Sequence, residues 1–407
     1  MPYNSNVINT YYSEITISQN QALEDFETFK YLIDNAYSGR DYWTMQGVDF
    51  EECYNQVENV IRAHDCIPSK LIGETIYQAF RGKIVDNHLS LRFCNNDQMY
   101  CFSATKKAYF TGITVEKQKD KYIVVQSNCD GIHNGDIVEC AEKFLFPTLS
   151  PIGKAWFYVG IRDWMPVKSI SVGINGRESI ATLHKSRAGD YIPAEKEFFK
   201  LITYSDIPTV FSGTFYDIHN HVPRDCGKDL AQHLKNEKCI MWVLAGNHGG
   251  SSDFAQHFIE SLNGYANNAT SVAYLKTHIT DFSKVNLSNN YTNWHFCIDP
   301  PTDYTKSQFD GTLCTLINST TGSSAENAIG YAKSVRNHLL IGENSGGIGL
   351  FGEVQSYILR HSMIRLGIPC KIFLNGVKEG EGYTPDYWVD SPNLVGAVAQ
   401  WIRNSLV

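Results

Sequence analysis

What most limits the fold of this chain is an alternation in its second half. Residues 239–246 (CIMWVLAG) form an apolar run suited to a strand buried inside a sheet. They are followed by Asn247-His248-Gly249-Gly250 and then by a helical pattern through Phe254, Phe258, Ile259 and Leu262. The pattern repeats. Residues 312–318 (TLCTLIN) lead into STTGSSAEN and a helical stretch with Ala328, Tyr331 and Val335, and two further strand candidates follow at 339–343 and 370–376. Strands alternating with helices imply an α/β layered architecture with a partly parallel sheet.

The rest of the chain reads differently. Over roughly the first ninety residues the apolar positions are helical: Leu23, Phe26, Phe29, Ile33 and Tyr37, with Gly39 placed to close the helix. Asp49 followed by Glu52 looks like a capping box, and Pro68 opens a third helix through Leu71, Ile72, Ile76, Ala79 and Phe80. Leu89, Leu91 and Phe93 then alternate as in a strand. Between about 96 and 190 lie short runs rich in β-branched and aromatic residues, punctuated by the turn pairs Asn134-Gly135 and Asn175-Gly176. The expected organisation is therefore a helical segment (1–95), a β-rich module (96–190) and an α/β core (191–407).

Composition narrows the function. The 407 residues are 43% hydrophobic and 19% charged, as in a globular protein. A formal net charge of -8 and the lack of any basic block argue against nucleic acid as a partner. No apolar run is long enough to span a membrane, and the first residues do not form a signal peptide. The eleven cysteines show neither a CxxC pair nor metal-ligand spacing, and read as reduced, mostly buried thiols. A cytoplasmic protein is expected, or one exported with its leader removed. No metal or cofactor is implied, and oligomeric state is not readable.

Three places can carry chemistry. Thr321-Gly322-Ser323-Ser324-Ala325-Glu326 puts serines where a strand gives way to a helix, beside amides that favour developing negative charge. Taken alone, Ser323 and Glu326 are equally a capping box. Gly249 and Gly250 let the backbone approach a ligand closely and can supply oxyanion-binding amides, although an ordinary glycine-rich connection looks the same. His88, in Asp86-Asn87-His88 at a strand start, is a base suited to neutral pH. Four N-x-[ST] sequons, at Asn268, Asn286, Asn290 and Asn318, matter only in a secreted eukaryotic protein. His219, His221 and Asp225 lack the HExxH arrangement and read as surface turn chemistry.

In order, the pieces DNHLSL, GNHGGS, TTGSSAEN, LLIGENSGG and GEGYTPDYWV resemble the tail-specific, or C-terminal-processing, serine protease family, over nearly the whole chain. The resemblance implies a ClpP/crotonase-like α/β peptidase core, with the N-terminal helical segment and an inserted PDZ-like β-rich domain. It implies Ser323 as the nucleophile and the backbone amides of Gly249 and Ser324 as the oxyanion hole, with Gly250 as an alternate. In the PDZ-like module, Phe110-Thr111-Gly112-Ile113 would take the carboxylate of a substrate tail, through Gly112 and Ile113.

The chain departs from the family pattern twice. Where many members carry a lysine base in a G-E-x-x-x-G-K turn, this chain has Ile348, and Lys333 is out of register. The remaining option resembles the tricorn-type branch, in which histidine is the base and a late glutamate orients it. That implies His88 with Glu379, and Glu381 as the fallback. Second, the usual Asp-Leu-Arg run before the N-x-G-G turn is replaced by Val243-Leu244-Ala245. The expected activity is peptide-bond hydrolysis in peptides or protein tails through a Ser323 acyl-enzyme. Two rivals stand beside it: an inactive member that binds peptides or a small apolar ligand, and an esterase or amidase using the same nucleophile.

Overall fold

The computed structural model describes residues 3–4, 15–93, 99–150, 154–188, 197–217, 221–267, 272–276, 294–298, 302–373 and 378–405. The chain forms two compact units. The first comprises 1–104, 271–299 and 348–380, and the second comprises 105–270, 300–347 and 381–407.

The first unit opens with helices Gln19–Asn35, Gly39–Met45, Phe50–Arg62 and Ser69–Phe80. Phe26, Phe29, Leu32, Tyr54 and Phe80 are buried together against Leu89, Leu91, Leu366 and Ile368. This is the stripe that the three-and-four spacing predicts. Asp49 caps its helix by accepting the Glu52 amide at 3.0 Å, and Pro68 is the N-cap residue of Ser69–Phe80. Gly39 differs from expectation. The first helix ends at Asn35, and Gly39 opens the next one. Its role is spatial, because a Cβ there would stand 2.3 Å from the Tyr37 phenol. The unit's seven-stranded sheet includes Phe351–Ile358, Arg365–Phe373, Asp86–Arg92 and Met99–Phe102, all paired antiparallel.

The second unit is organised by a fourteen-stranded sheet. One half is antiparallel and contains Lys107–Gln118, Lys121–Ser127, Ile137–Glu139, Trp156–Asp163, Ser169–Ile174 and Arg177–Thr182. Asn175 and Gly176 turn its last hairpin with φ of 50° and 77°, the left-handed pair that such a turn demands. In the other half Ile207–Phe211, Cys239–Val243, Thr312–Ile317, His338–Gly342 and Tyr387–Trp388 run parallel. Ile240, Met241 and Trp242 are fully buried, as the unbroken apolar run requires. Because Val243 lies in register with Leu316, the turns after these two strands leave the same end of the sheet, side by side.

The mixed α/β fold with a partly parallel sheet is the one expected. Nine cysteines among the described residues are free, and four of them are buried while Cys66 and Cys226 are exposed. No helix among the described residues is long and apolar enough to cross a membrane. Because Tyr37 is fully buried and its hydroxyl is bonded to Asp86, its ring cannot swing away from an added methyl. Gly39→Ala should therefore cost about 1–3 kcal/mol in urea denaturation. An unchanged midpoint would contradict this account of Gly39.

Candidate active site

Ser323 lies where Thr312–Ile317 hands over to helix Ser324–Ala332. Its φ of 54° and ψ of -125° place a non-glycine residue in a region that costs about 1–3 kcal/mol. The capping-box reading does not hold, because the Ser323 side chain makes no capping hydrogen bond. Glu326, which that reading assigned to the cap, is buried and turned elsewhere. Its carboxylate accepts the Ser345 hydroxyl and, at 3.0 Å, the Gly347 amide. The half-buried serine thus sits on a sharp turn at a helix N-terminus, where unpaired amides favour negative charge.

Neutral hydrogen bonds hold this turn against its neighbour. The Thr321 hydroxyl donates to the Leu244 carbonyl at 3.1 Å and accepts the Asn318 amide at 3.1 Å. Asn318 Oδ1 accepts the Gly246 amide at 3.1 Å, and the Gly322 amide donates to the Asn247 carbonyl at 3.0 Å. The Ser324 hydroxyl donates to the Gly250 carbonyl at 2.6 Å. Where the charged run is missing, uncharged groups do the bracing. Asn318, Asn247 and Thr321 were not picked out as braces by sequence reasoning, and in the sequence Asn318 showed only as a sequon. Being buried and bonded, Asn318 is no glycosylation acceptor, while the other three sequons and His219 fall outside the described residues.

Gly249 packs directly on the serine turn. A Cβ at this position, whose φ is 102°, would lie 2.7 Å from Ser323 Cβ and 2.9 Å from the Ser324 nitrogen. Only glycine fits. Its amide is not poised as expected, however, since it donates to Asn247 Oδ1 at 2.8 Å. Gly250 has a φ of 135°, and a Cβ there would meet the Phe215 carbonyl oxygen at 1.9 Å. The carbonyls on both sides of the Gly250 amide are fixed, that of Gly249 by the Phe215 amide and that of Gly250 by Ser324.

In the first unit, His88 sits in strand Asp86–Arg92, whose register with Met99–Phe102 jumps between Asp86 and Ser90. A bulge of this kind re-aims a side chain. One oxygen each of Asp86 and Glu379 and one His88 ring nitrogen lie within 4.8 Å of one another. Glu379 is buried and accepts the Asn87 amide at 2.9 Å, Asn87 Nδ2 at 3.0 Å and the Leu350 amide at 3.0 Å. Burial pushes the His88 imidazole down to about 4, so the proton-accepting neutral form prevails at pH 7. Asp86 is fully buried, and burial pushes its carboxyl up to about 7 despite bonds from Tyr37 and from the His88 and Leu89 amides.

The structure thus groups His88 with Glu379 in one unit, and Ser323 with Gly249, Gly250 and Ser324 in the other. Glu381, the fallback, is in the second unit with its carboxylate ion-paired to Lys106 at 3.2 Å. Lys333 follows the elbow helix, with its ammonium 4.6 Å over the Tyr383 ring. Gly112 and Ile113 are in the second unit. They lie inside strand Lys107–Gln118, where Ile113 is fully buried and its amide donates to the Thr111 hydroxyl at 3.1 Å. An amide so bonded is not offered to a carboxylate.

Residues 228–389, which hold the strand ends, both turns and the elbow helix, match the model of peptidase family S41. No curated protein sequence matches the chain. Among solved structures, the chain is similar to mature CPAF, with a TM-score of 0.52 and 12% identity over 96% of this chain and 99% of that one. It is also similar to a Parabacteroides merdae structure assigned as a peptidase, with a TM-score of 0.50 and 12% identity over 94% and 95%. At such identities these likenesses speak for the fold. The serine elbow lies inside the segment that matches peptidase family S41, and that match indicates a serine-type peptidase.

Proposed function

We propose that this peptidase cleaves peptides or the C-terminal tails of proteins through an acyl-enzyme on Ser323, in the manner of the tricorn-type branch. His88 takes the Ser323 proton, Glu379 orients the imidazole, and the proton passes on to the leaving amine. The observation that carries this reading is the Ser323 elbow, a strained serine that does not cap its helix and is pressed on a glycine that tolerates no side chain. The oxyanion is assigned to the amides of Ser324 and Gly250, since that of Gly249 is donated to Asn247. The inactive alternative loses its motive, because the brace expected from Asp-Leu-Arg is supplied by Thr321 and Asn318.

The β-rich residues between 96 and 190 are read as the PDZ-like module that holds the tail, and residues 191–407 as the peptidase core. A groove of about 840 Å³ in the module is lined by residues 128–132, Gly112, Ile180, Lys185 and Arg187. Ile180 is 79% exposed, on an edge strand that leaves backbone groups open for strand addition. Arg187 is committed to Asp390, which leaves Lys185 as the cation for a terminal carboxylate.

With a fluorogenic peptide, Ser323→Ala and His88→Ala should each lower kcat by about 10³-fold or more. Turnover within tenfold of wild type in either variant would sink the mechanism. Lys185→Ala should raise KM about tenfold for a peptide with a free C-terminus, the loss of one charge-assisted bond, and leave an amidated peptide unaffected. Equal effects on both peptides would remove Lys185 from tail binding.

A further inference from the structure

One buried carboxyl group beside the proposed base has no part in that mechanism. Asp86 is two residues before His88 and fully buried. Its Oδ1 accepts the His88 amide at 2.8 Å and the Leu89 amide at 2.9 Å, and so closes the bulge from which the imidazole projects. Its Oδ2 accepts the Tyr37 hydroxyl at 2.8 Å, and Tyr37 in turn accepts Trp43 Nε1 at 3.1 Å. Tyr37 is itself fully buried, in space that Gly39 keeps open. Three donors therefore converge on one carboxylate, and the chain between two of them is the one that carries His88.

We propose that Asp86 is a positioning residue for the peptidase reaction: its ionised carboxylate clamps the bulge that aims His88, and Tyr37 and Trp43 lock it. The inference rests on the reading of His88 as general base. Protonation of Asp86 turns an acceptor of three bonds into a weaker one, obliges the Tyr37 hydroxyl to reorient, and loosens the clamp. Burial sets that protonation near neutrality, whereas His88 is held down to about 4. The acid limb of the rate profile then belongs to Asp86 and not to the base. The titratable groups facing Asp86 are Tyr37 from the segment after the first helix, His88 on its own strand, Glu379, and Cys101 on the neighbouring strand. Tyr37 and Cys101 are both pushed up by burial and stay neutral through this range, so neither competes for the limb.

Stability runs the other way. Because the folded-state value is raised, the folded chain binds more protons than the unfolded one between about pH 4 and 7, so this group favours folding at the acid end and the advantage is lost as pH rises through about 7.

The test is kcat and KM from pH 5 to 9, with thermal midpoints, for wild type, Asp86→Asn, Asp86→Ala and Tyr37→Phe. Wild-type kcat should fall about tenfold per pH unit below the limb near 7, as for one ionisation. Asp86→Asn keeps an acceptor for the two amides and should lose that limb. Asp86→Ala opens the bulge and should lower kcat about 100-fold at pH 8 with KM within twofold. Tyr37→Phe should move the limb while retaining most of the fold, which keeps the proposal testable if the Asp86 variants do not fold. An acid limb unchanged in Asp86→Asn and Tyr37→Phe, or an effect confined to KM, overturns it. If His88→Ala still turns over peptide, the failure lies in the base assignment and not in Asp86.

Discussion

The second unit depends on a hand-over from strand to helix that is too sharp for ordinary backbone. Thr312–Ile317 ends inside a parallel sheet, and Ser323 must turn the chain at a positive φ before the helix can begin. Such a conformation persists only where the surroundings over-determine it. Here the turn is fixed from three sides: the Thr321 hydroxyl on the Leu244 carbonyl, Asn318 on the Gly246 amide, and the Glu326 carboxylate on Ser345 and Gly347.

The same constraint accounts for what the chain can do without. Buried charges are costly to desolvate, and a buried ion network often contributes little more than a well-packed neutral one. Val243, Leu244 and Ala245 are all buried in this chain, so an Asp-Leu-Arg run here would have two charges to desolvate. At the strand end the Leu244 carbonyl and the Gly246 amide are satisfied by the Thr321 hydroxyl and the Asn318 side chain. In the first unit, Asp86 and Glu379 stand beside a histidine held neutral.

Much of the fold was legible, because periodicity reports burial. The stripe of Phe26, Phe29 and Ile33, the unbroken apolar run ending at Val243 and the turn pair Asn175-Gly176 each map onto a single local geometry. Legibility failed where one motif serves two geometries. Ser323 and Glu326 have the spacing of a capping box, and only the backbone angle at Ser323 and the path of Glu326 separate the cap from the elbow. Gly39 looked like a helix stop, yet it is needed for the Tyr37 ring. Gly112 and Ile113 lie in strand Lys107–Gln118, Gly112 half-buried and Ile113 fully buried, and the pairing that sets their exposure links residues too distant to be matched by spacing. The Gly249 amide was assigned to the oxyanion, and the Asn247 side chain that takes it carries no sequence signal beyond being an asparagine near a turn.

The central claim is that Ser323 is an activated nucleophile. Its most direct test is to expose the folded protein to a fluorophosphonate at pH 8 and map the adduct by peptide mass spectrometry, with Ser323→Ala and His88→Ala alongside. The account predicts phosphonylation of Ser323 alone, absent from both variants. No adduct on folded wild-type protein, or an adduct on Ser324, would contradict it.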